Sequence, residues 1–213
     1  MASVARSEFI FGGQRSGKSR RAETLAGTWL AQSPGHKAVL IATAQPGDEE
    51  MRQRIARHQR DRAQRVPNLH TLEEPLALAE AISRCSDAET IIIVDCLTLW
   101  LTNLLMPMMS AARPKDQPEN RLENSEITPF LKEKDATAQY PQAQAATLLI
   151  AIEKVAGPLV LVGNEIGMGV IPLGRETRAF VDALGQLNQE VSAACERVTL
   201  MAAGLPMMLK GRP

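Results

Sequence analysis

Aromatic side chains are scarce: two Trp, one Tyr and four Phe stand among 213 residues. With so few rings, the core must be assembled from Leu, Ile, Val, Ala and Met, which a 45% hydrophobic content supplies. Cysteine is rarer still. Cys85, Cys96 and Cys195 lie far apart, are odd in number and form no Cys-x-x-Cys pair. That excludes a disulfide framework and a zinc knuckle, and reads as reduced thiols of a cytoplasmic protein. No excess of either charge exists, since 24 Lys and Arg balance 24 Asp and Glu. Such a balance argues against a dedicated nucleic-acid or membrane-surface binder. No stretch approaches the roughly 20 apolar residues of a membrane span. The opening "MASVARSEFIFGG" has no apolar run long enough for a signal peptide. The length fits one domain.

What is present is a regular alternation. Residues 8–11 form a short apolar strand that runs into glycines, and Ala22, Leu25, Ala26, Trp29 and Leu30 then recur at helical spacing. "KAVLIAT" (37–43) predicts a second strand. Residues 48–65 predict a charged helix, acidic at its start and basic at its end, which suits the helix dipole. "EEPLALAEAISR" predicts a helix with Pro75 in its first turn. "TIIIVD" (90–95) and "GPLVLVGNE" (157–165) are continuous apolar runs, the mark of strands buried on both faces of a parallel sheet. "LTLWLTNLLM" and "ETRAFVDALGQLNQEVSAACE" predict helices, "RVTLMAAG" a central strand and "MMLK" an edge strand. Together they predict an α/β fold with a mainly parallel sheet flanked by helices and an antiparallel edge strand. Residues 107–145 differ: five prolines, many charges and no lasting periodicity predict a mobile insertion within the single domain.

The most specific motif is Gly12-x4-Gly17-Lys18-Ser19, set between strand and helix. This is the phosphate-binding P-loop pattern in the context it requires. Its backbone N–H groups form an anion nest at a helix N-terminus. Lys18 reaches the β- and γ-phosphates, and the Ser19 hydroxyl is a Mg²⁺ ligand. Asp95, after four apolar residues, suits a second Mg²⁺ ligand; a helix N-cap is the alternative. Thr43, Asp95 and Asn164 fall at strand carboxyl ends, where such sheets bind ligands.

On the charged helix, Met51, Ile55, His58 and Arg62 are spaced 4, 3 and 4 apart and share one face. An inward His beside an Arg suits phosphate chemistry, with imidazole as nucleophile and guanidinium as clamp. Spacing alone favours a solvated basic helix with an ordinary His. Interleaved acids and scarce aromatics count against a nucleic-acid surface. In "NEIGMGVIP" (164–172), Asn164-Glu165 ends a buried strand, either as a ligand contact or as a helix cap.

The pieces "GGQRSGKSRRAE", "IATAQPGDEEMRQRIARHQRDR", "TLEEP", "VDCLTLWLTNLL", "LVGNEIGMGVIP" and "RAFVDALGQLNQ" occur in this order and cover most of the chain outside 107–145. In them the sequence resembles the bifunctional adenosylcobinamide kinase / adenosylcobinamide-phosphate guanylyltransferase family of cobalamin biosynthesis. The resemblance implies a P-loop NTPase fold of the RecA-like kind. It implies phosphorylation of adenosylcobinamide by GTP or ATP, then transfer of GMP from GTP, through a guanylylated histidine, to adenosylcobinamide phosphate. The histidine of the "RIxxHxxxR" stretch is His58, which reverses the reading from spacing alone. Implied nucleotide contacts are Gly12, Gly13, Gln14, Arg15, Ser16, Gly17, Lys18, Ser19, Thr43, Ala44, Gln45, Gln59, Arg60, Asp61, Arg62, Glu73 and Asp95. Mg²⁺ dependence and a homotrimer are implied as well. A single-function small-molecule kinase, or a regulatory NTP-binding protein without nucleotidyl transfer, is the alternative, and a covalent GMP adduct separates the readings.

Overall fold

The computed structural model describes residues 4–45, 49–111 and 128–212. The chain runs β1 (Ser7–Gly12), α1 (Lys18–Leu30), β2 (Lys37–Ala42), α2 (Glu49–Arg65), β3 (Leu69–Glu73), α3 (Leu78–Cys85) and β4 (Thr90–Asp95). It continues with α4 (Leu97–Ala111), α5 (Thr128–Lys154), β5 (Leu159–Asn164), α6 (Arg175–Ala194), β6 (Arg197–Ala202) and β7 (Leu205–Lys210). All seven strands join one sheet in the order β3-β2-β4-β5-β1-β6-β7. Every neighbouring pair is parallel except β6 with β7, which is the expected antiparallel edge.

Side-chain alternation divides the core in two. On β4, Ile92 and Val94 face one cluster while Ile91 and Ile93 face the other, and none is solvent-exposed. The first cluster takes in Leu78 and Ile82 of α3, Leu97 and Leu104 of α4, Ile152 of α5 and Leu187 of α6. The second takes in Ala22, Leu25 and Ala26 of α1. Two aromatics supplement the aliphatic core: Phe9 and Trp100 are fully buried. The Trp100 indole N–H donates to the Leu76 carbonyl at 2.9 Å, which satisfies its one donor.

Two sequence expectations need correction. A strand, β3, occupies 69–73, where none was read; its burial is only partial, so it lacks the apolar run of the inner strands. The next helix therefore begins at Leu78 rather than at the Glu-Glu-Pro stretch. Pro75 disfavours helical backbone at Glu74. The Glu74 carboxylate accepts from the Leu76 and Ala77 N–H groups at 3.1 and 2.9 Å, holding a turn ahead of the helix. In the stretch expected to be an insertion, backbone is helical at 107–111 in α4 and at 128–145 in α5. Helix α5 carries Pro141 internally and is anchored farther on by Leu148, Ala151 and Ile152. The rest of that expectation, 112–127, lies outside the described residues.

Candidate functional site

β1 is the inner strand that feeds the glycine loop. Gly12 has φ +147°, and a Cβ there would stand 2.4 Å from the Met201 carbonyl oxygen of β6. Gly17 has φ +101°, and its Cβ would lie 3.3 Å from Gly204 Cα. Both positions therefore require glycine, for conformation and for space. The Gly204 N–H donates to the Ser16 carbonyl at 3.0 Å, and the Glu165 N–H to the Gly12 carbonyl at 3.1 Å. The loop is thus braced from the turn after β6 and from the end of β5. Helix α1 starts with no side-chain cap and no acidic residue in its first turn, which leaves its N-terminal amides to an anion. Lys18 is buried, and its Nζ donates to the Gly13 carbonyl at 2.7 Å, across the loop it would share with phosphate. Ser16 Oγ is buried with no partner among the described residues.

The opposite wall comes from the ends of β2, β3 and β4. Thr43 is fully buried. Its hydroxyl donates to the Cys96 carbonyl at 2.8 Å and accepts from the Cys96 N–H at 2.9 Å. Its N–H donates to the Asp95 carbonyl at 3.2 Å. The Asn103 amide donates to the carbonyls of Thr43 and Pro75 at 2.7 and 3.1 Å, tying the loops after β2 and β3 together. Asp95 is left half-buried at the end of β4. Cys96 lies beside it, and burial first, then the Asp95 charge, push its thiol up to about 12. It is a neutral S–H at pH 7 and no nucleophile.

Helix α2 forms the third wall. Arg65 Nη1 lies 2.6 Å from Glu23 Oε2 of α1, and Arg65 Nη2 lies 3.6 Å from Asp61 Oδ2 one turn back. Arg62 is buried and Ile55 half-buried, as their shared face predicted.

These walls enclose a cavity of about 650 Å³, within the range of small-molecule sites. Of the predicted residues, Gln14, Arg15, Ser16, Gly17, Lys18 and Ser19 line it from the loop. Ala44, Glu73 and Asp95 line it from the strand ends, and Gln59, Asp61 and Arg62 from α2. Gly12, Gly13, Gln45 and Arg60 are not among the lining residues, and Thr43 is fully buried. The loop was read as a site from its spacing, and Asn164, expected at a ligand-binding strand end, lines the cavity too; Arg20, Glu23, Arg57 and Arg65 line it without having been assigned to it. The lining carries Arg15, Lys18, Arg20, Arg57, Arg62 and Arg65 against Glu23, Asp61, Glu73 and Asp95, an excess of positive charge suited to a polyphosphate.

The chain has three histidines. His36 stacks on Trp29 and its Nδ1 lies 2.7 Å from the Trp29 carbonyl, and His70 is exposed on β3; neither lines the cavity. Position 58 is in the helical backbone of α2, between the cavity-lining Arg57 and Gln59.

Among the described residues, no helix is long and apolar enough to cross a membrane. A family model described as cobinamide kinase / cobinamide phosphate guanyltransferase matches residues 8–209. The chain is 45% identical over 206 residues to the bifunctional adenosylcobalamin biosynthesis protein CobP of Pseudomonas aeruginosa, covering 97% of this chain and 98% of that one. It is 31% and 32% identical to the bifunctional adenosylcobalamin biosynthesis proteins CobU of Escherichia coli and Salmonella typhimurium, over 94% of this chain and 98% of each relative.

Proposed function

The chain belongs to the cobinamide kinase / cobinamide phosphate guanyltransferase family and is a bifunctional kinase and guanylyltransferase; from that premise we propose that both reactions use the one cavity between the glycine loop and α2. In the first, a nucleoside triphosphate, GTP or ATP, phosphorylates the hydroxyl of adenosylcobinamide. The acceptor oxygen bonds to the γ-phosphorus as its bond to the β-phosphate oxygen breaks. In the second, a lone pair of the His58 imidazole attacks the α-phosphorus of GTP and pyrophosphate leaves. A phosphate oxygen of adenosylcobinamide phosphate then takes the GMP, the P–N bond breaks and the imidazole is restored. The product is adenosylcobinamide-GDP.

The observation that carries this reading is the placement of α2 over the loop. It sets position 58 beside cavity-lining residues, while His36 and His70 lie elsewhere and Cys96 is protonated. Imidazole suits the task because it is largely neutral near pH 7. Lys18 and the amides of 13–19 hold the phosphates, and Arg62 offsets charge on the departing pyrophosphate.

A Mg²⁺ site fits the donor set. The Ser19 hydroxyl and the Asp95 carboxylate are hard oxygen donors on the same cavity. Among the described residues no three His, Cys, Asp or Glu side chains gather to hold a metal by protein alone, so the fit is to an ion shared with phosphate. When bound, such an ion neutralises developing phosphate charge. The homotrimer and cytoplasmic setting belong to the same reading. Support for assembly is the outer strand β7, which exposes Leu205, Met207 and Leu209 along one face; support for a reducing compartment is three free cysteines.

His58→Ala tests the reading. With GTP labelled at the α-phosphate, the parent chain takes up covalent label and the variant takes up none, while the variant still phosphorylates adenosylcobinamide. A label mapped to His36 or His70, or undiminished in the variant, overturns it.

A further inference from the structure

Strand β5 lies between β1, which feeds the glycine loop, and β4, which ends in Asp95. In register, Asn164 pairs with Gly12, and Asp95 pairs with Val162. Asn164 thus stands at the carboxyl end of the sheet, between the phosphate loop and the metal-suited carboxylate. Its surroundings fix it there. The Asn164 N–H donates to the Thr98 hydroxyl at 2.8 Å, and its carbonyl accepts from the Asn188 amide at 3.1 Å. The next N–H, that of Glu165, donates to Gly12. Three elements therefore pin this one backbone unit: α4, α6 and β1.

The side chain is not consumed by that network. Asn164 is half-buried and lines the cavity, and its carboxamide makes no hydrogen bond among the described residues. A neutral group with one donor and one acceptor end, on an anchored backbone, beside a phosphate nest, is suited to hold two partners at once. A carboxylate at this place would repel a phosphoryl group, and a cation would compete with Lys18.

Resting on the kinase half of the function proposed above, we infer that Asn164 is a substrate-positioning residue of phosphoryl transfer. Its Nδ2 donates to an oxygen of the γ-phosphoryl group and its Oδ1 accepts the acceptor hydroxyl's hydrogen bond, aligning oxygen with phosphorus. The acceptor O–P bond forms, the bridging P–O bond to the β-phosphate breaks, and the hydroxyl proton passes to water. Guanylylation makes no use of this position, because it takes place at the α-phosphorus with a nucleophile from α2.

Asn164→Ala and Asn164→Asp test the inference on the full chain, with ATP and adenosylcobinamide for one reaction and α-labelled GTP for the other. The backbone contacts survive both changes, and equal urea midpoints with the parent confirm it. Both variants should lose about 100-fold in kinase kcat, the effect of removing one preorganised donor. KM for ATP should stay within about threefold, because Lys18 and the loop amides hold the nucleotide. GMP labelling should stay within about threefold. Kinase turnover near the parent's, or an equal fall in both activities, overturns the role of Asn164 and leaves the function standing. A parent chain that phosphorylates no adenosylcobinamide overturns the function, and this inference with it.

Discussion

Replacing Glu23 by Gln leaves a side chain of nearly the same shape without its charge, and it cuts a tie between α1 and α2. Arg65 Nη1 stands 2.6 Å from Glu23 Oε2, with Glu23 6% and Arg65 44% exposed. The buried end takes the contact out of the near-zero class of surface pairs, and the open end lets salt screen it. A hydrogen bond to a charged group contributes roughly 1.5–3 kcal/mol, and Arg65's exposure discounts this to about 1–2 kcal/mol. Since 1.4 kcal/mol is tenfold, the equilibrium constant for docking α2 should fall about 5- to 30-fold. On the reading proposed above, labelling by GMP draws its nucleophile from α2 and should slow in a single turnover, by up to that factor where the docked form becomes the minority. Phosphoryl transfer, which on the same reading draws on the loop and Lys18, should stay within about threefold. Arg65 and Glu23 also line the cavity, so each single change carries a direct effect on bound phosphate. A double-mutant cycle with Arg65→Gln removes it, and the coupling should be near 1 kcal/mol at low salt and shrink as salt rises. Coupling near zero, or equal slowing of both reactions by Glu23→Gln, would refute the reasoning.

Three further outcomes follow from the packing. Gly12→Ala places a Cβ 2.4 Å from the Met201 carbonyl oxygen at φ +147°, so urea unfolding should show a loss of about 2–4 kcal/mol, and a parent-like midpoint would contradict the tight loop. Burial pushes the thiols of Cys96 and Cys195 up to about 12 from an ordinary 9.0, with the Asp95 charge adding to it at Cys96 and the Lys210 charge opposing it at Cys195; the folded chain therefore keeps protons that the unfolded chain sheds. Stability is fully present below pH 9 and falls between pH 9 and 12 by about 1.4 kcal/mol per pH unit for each thiol, a slope that Cys96→Ala with Cys195→Ala should remove from urea midpoints. At pH 8 iodoacetamide should label half-buried Cys85 and spare the other two until unfolding.

The inner sheet was legible because its strands are buried on both faces. Continuous apolar runs such as 91–94 and 159–162 have no other stable place, and the order of strands and helices then fixes the class. β3 escaped because an edge strand that is mostly exposed needs no such run. Helix α5 escaped because Pro141 and its charges mask a pattern that only the last turns, with Leu148 and Ile152, make plain. In the site, local spacing marked the loop because the nest is made of consecutive residues. Arg57 and Arg65 were read as scattered around a solvated helix; a helix that roofs a cavity presents more than one stripe to it. Thr43 is a residue of the family pattern that the structure holds by local contacts: it is fully buried, and its hydroxyl is bonded to the Cys96 backbone. Asn103, which holds Thr43 and Pro75 in place, lies 60 residues from Thr43 and 28 from Pro75, a separation no local spacing exposes.

On the reading proposed above, one triphosphate held by one loop presents two reactive phosphorus atoms, one toward the loop's wall and one toward α2. The loop is braced at Gly12, at Ser16 and at Gly17, by backbone from β5 and from the turn after β6. Beneath it, fully buried Glu8 accepts from Arg21 at 2.9 Å and Thr199 at 2.8 Å, with Arg197 3.3 Å away. This network locks α1 to β1 and β6 where neither charge can leave without stranding the other. On α2 most of the described side chains are exposed, and among them the buried Arg62 and the Arg65–Glu23 pair lie toward its C-terminal end, with the buried Val66 just beyond. Chemistry that needs only a fixed nucleotide and a positioned acceptor belongs on the braced side, beside Asn164. Chemistry that needs a protein nucleophile to carry a nucleotidyl group and then yield it to an incoming phosphate belongs on a different wall from the braced loop. On the reading proposed above, α2 is that wall, and the separation of loop and α2 is what allows one cavity to serve both transfers.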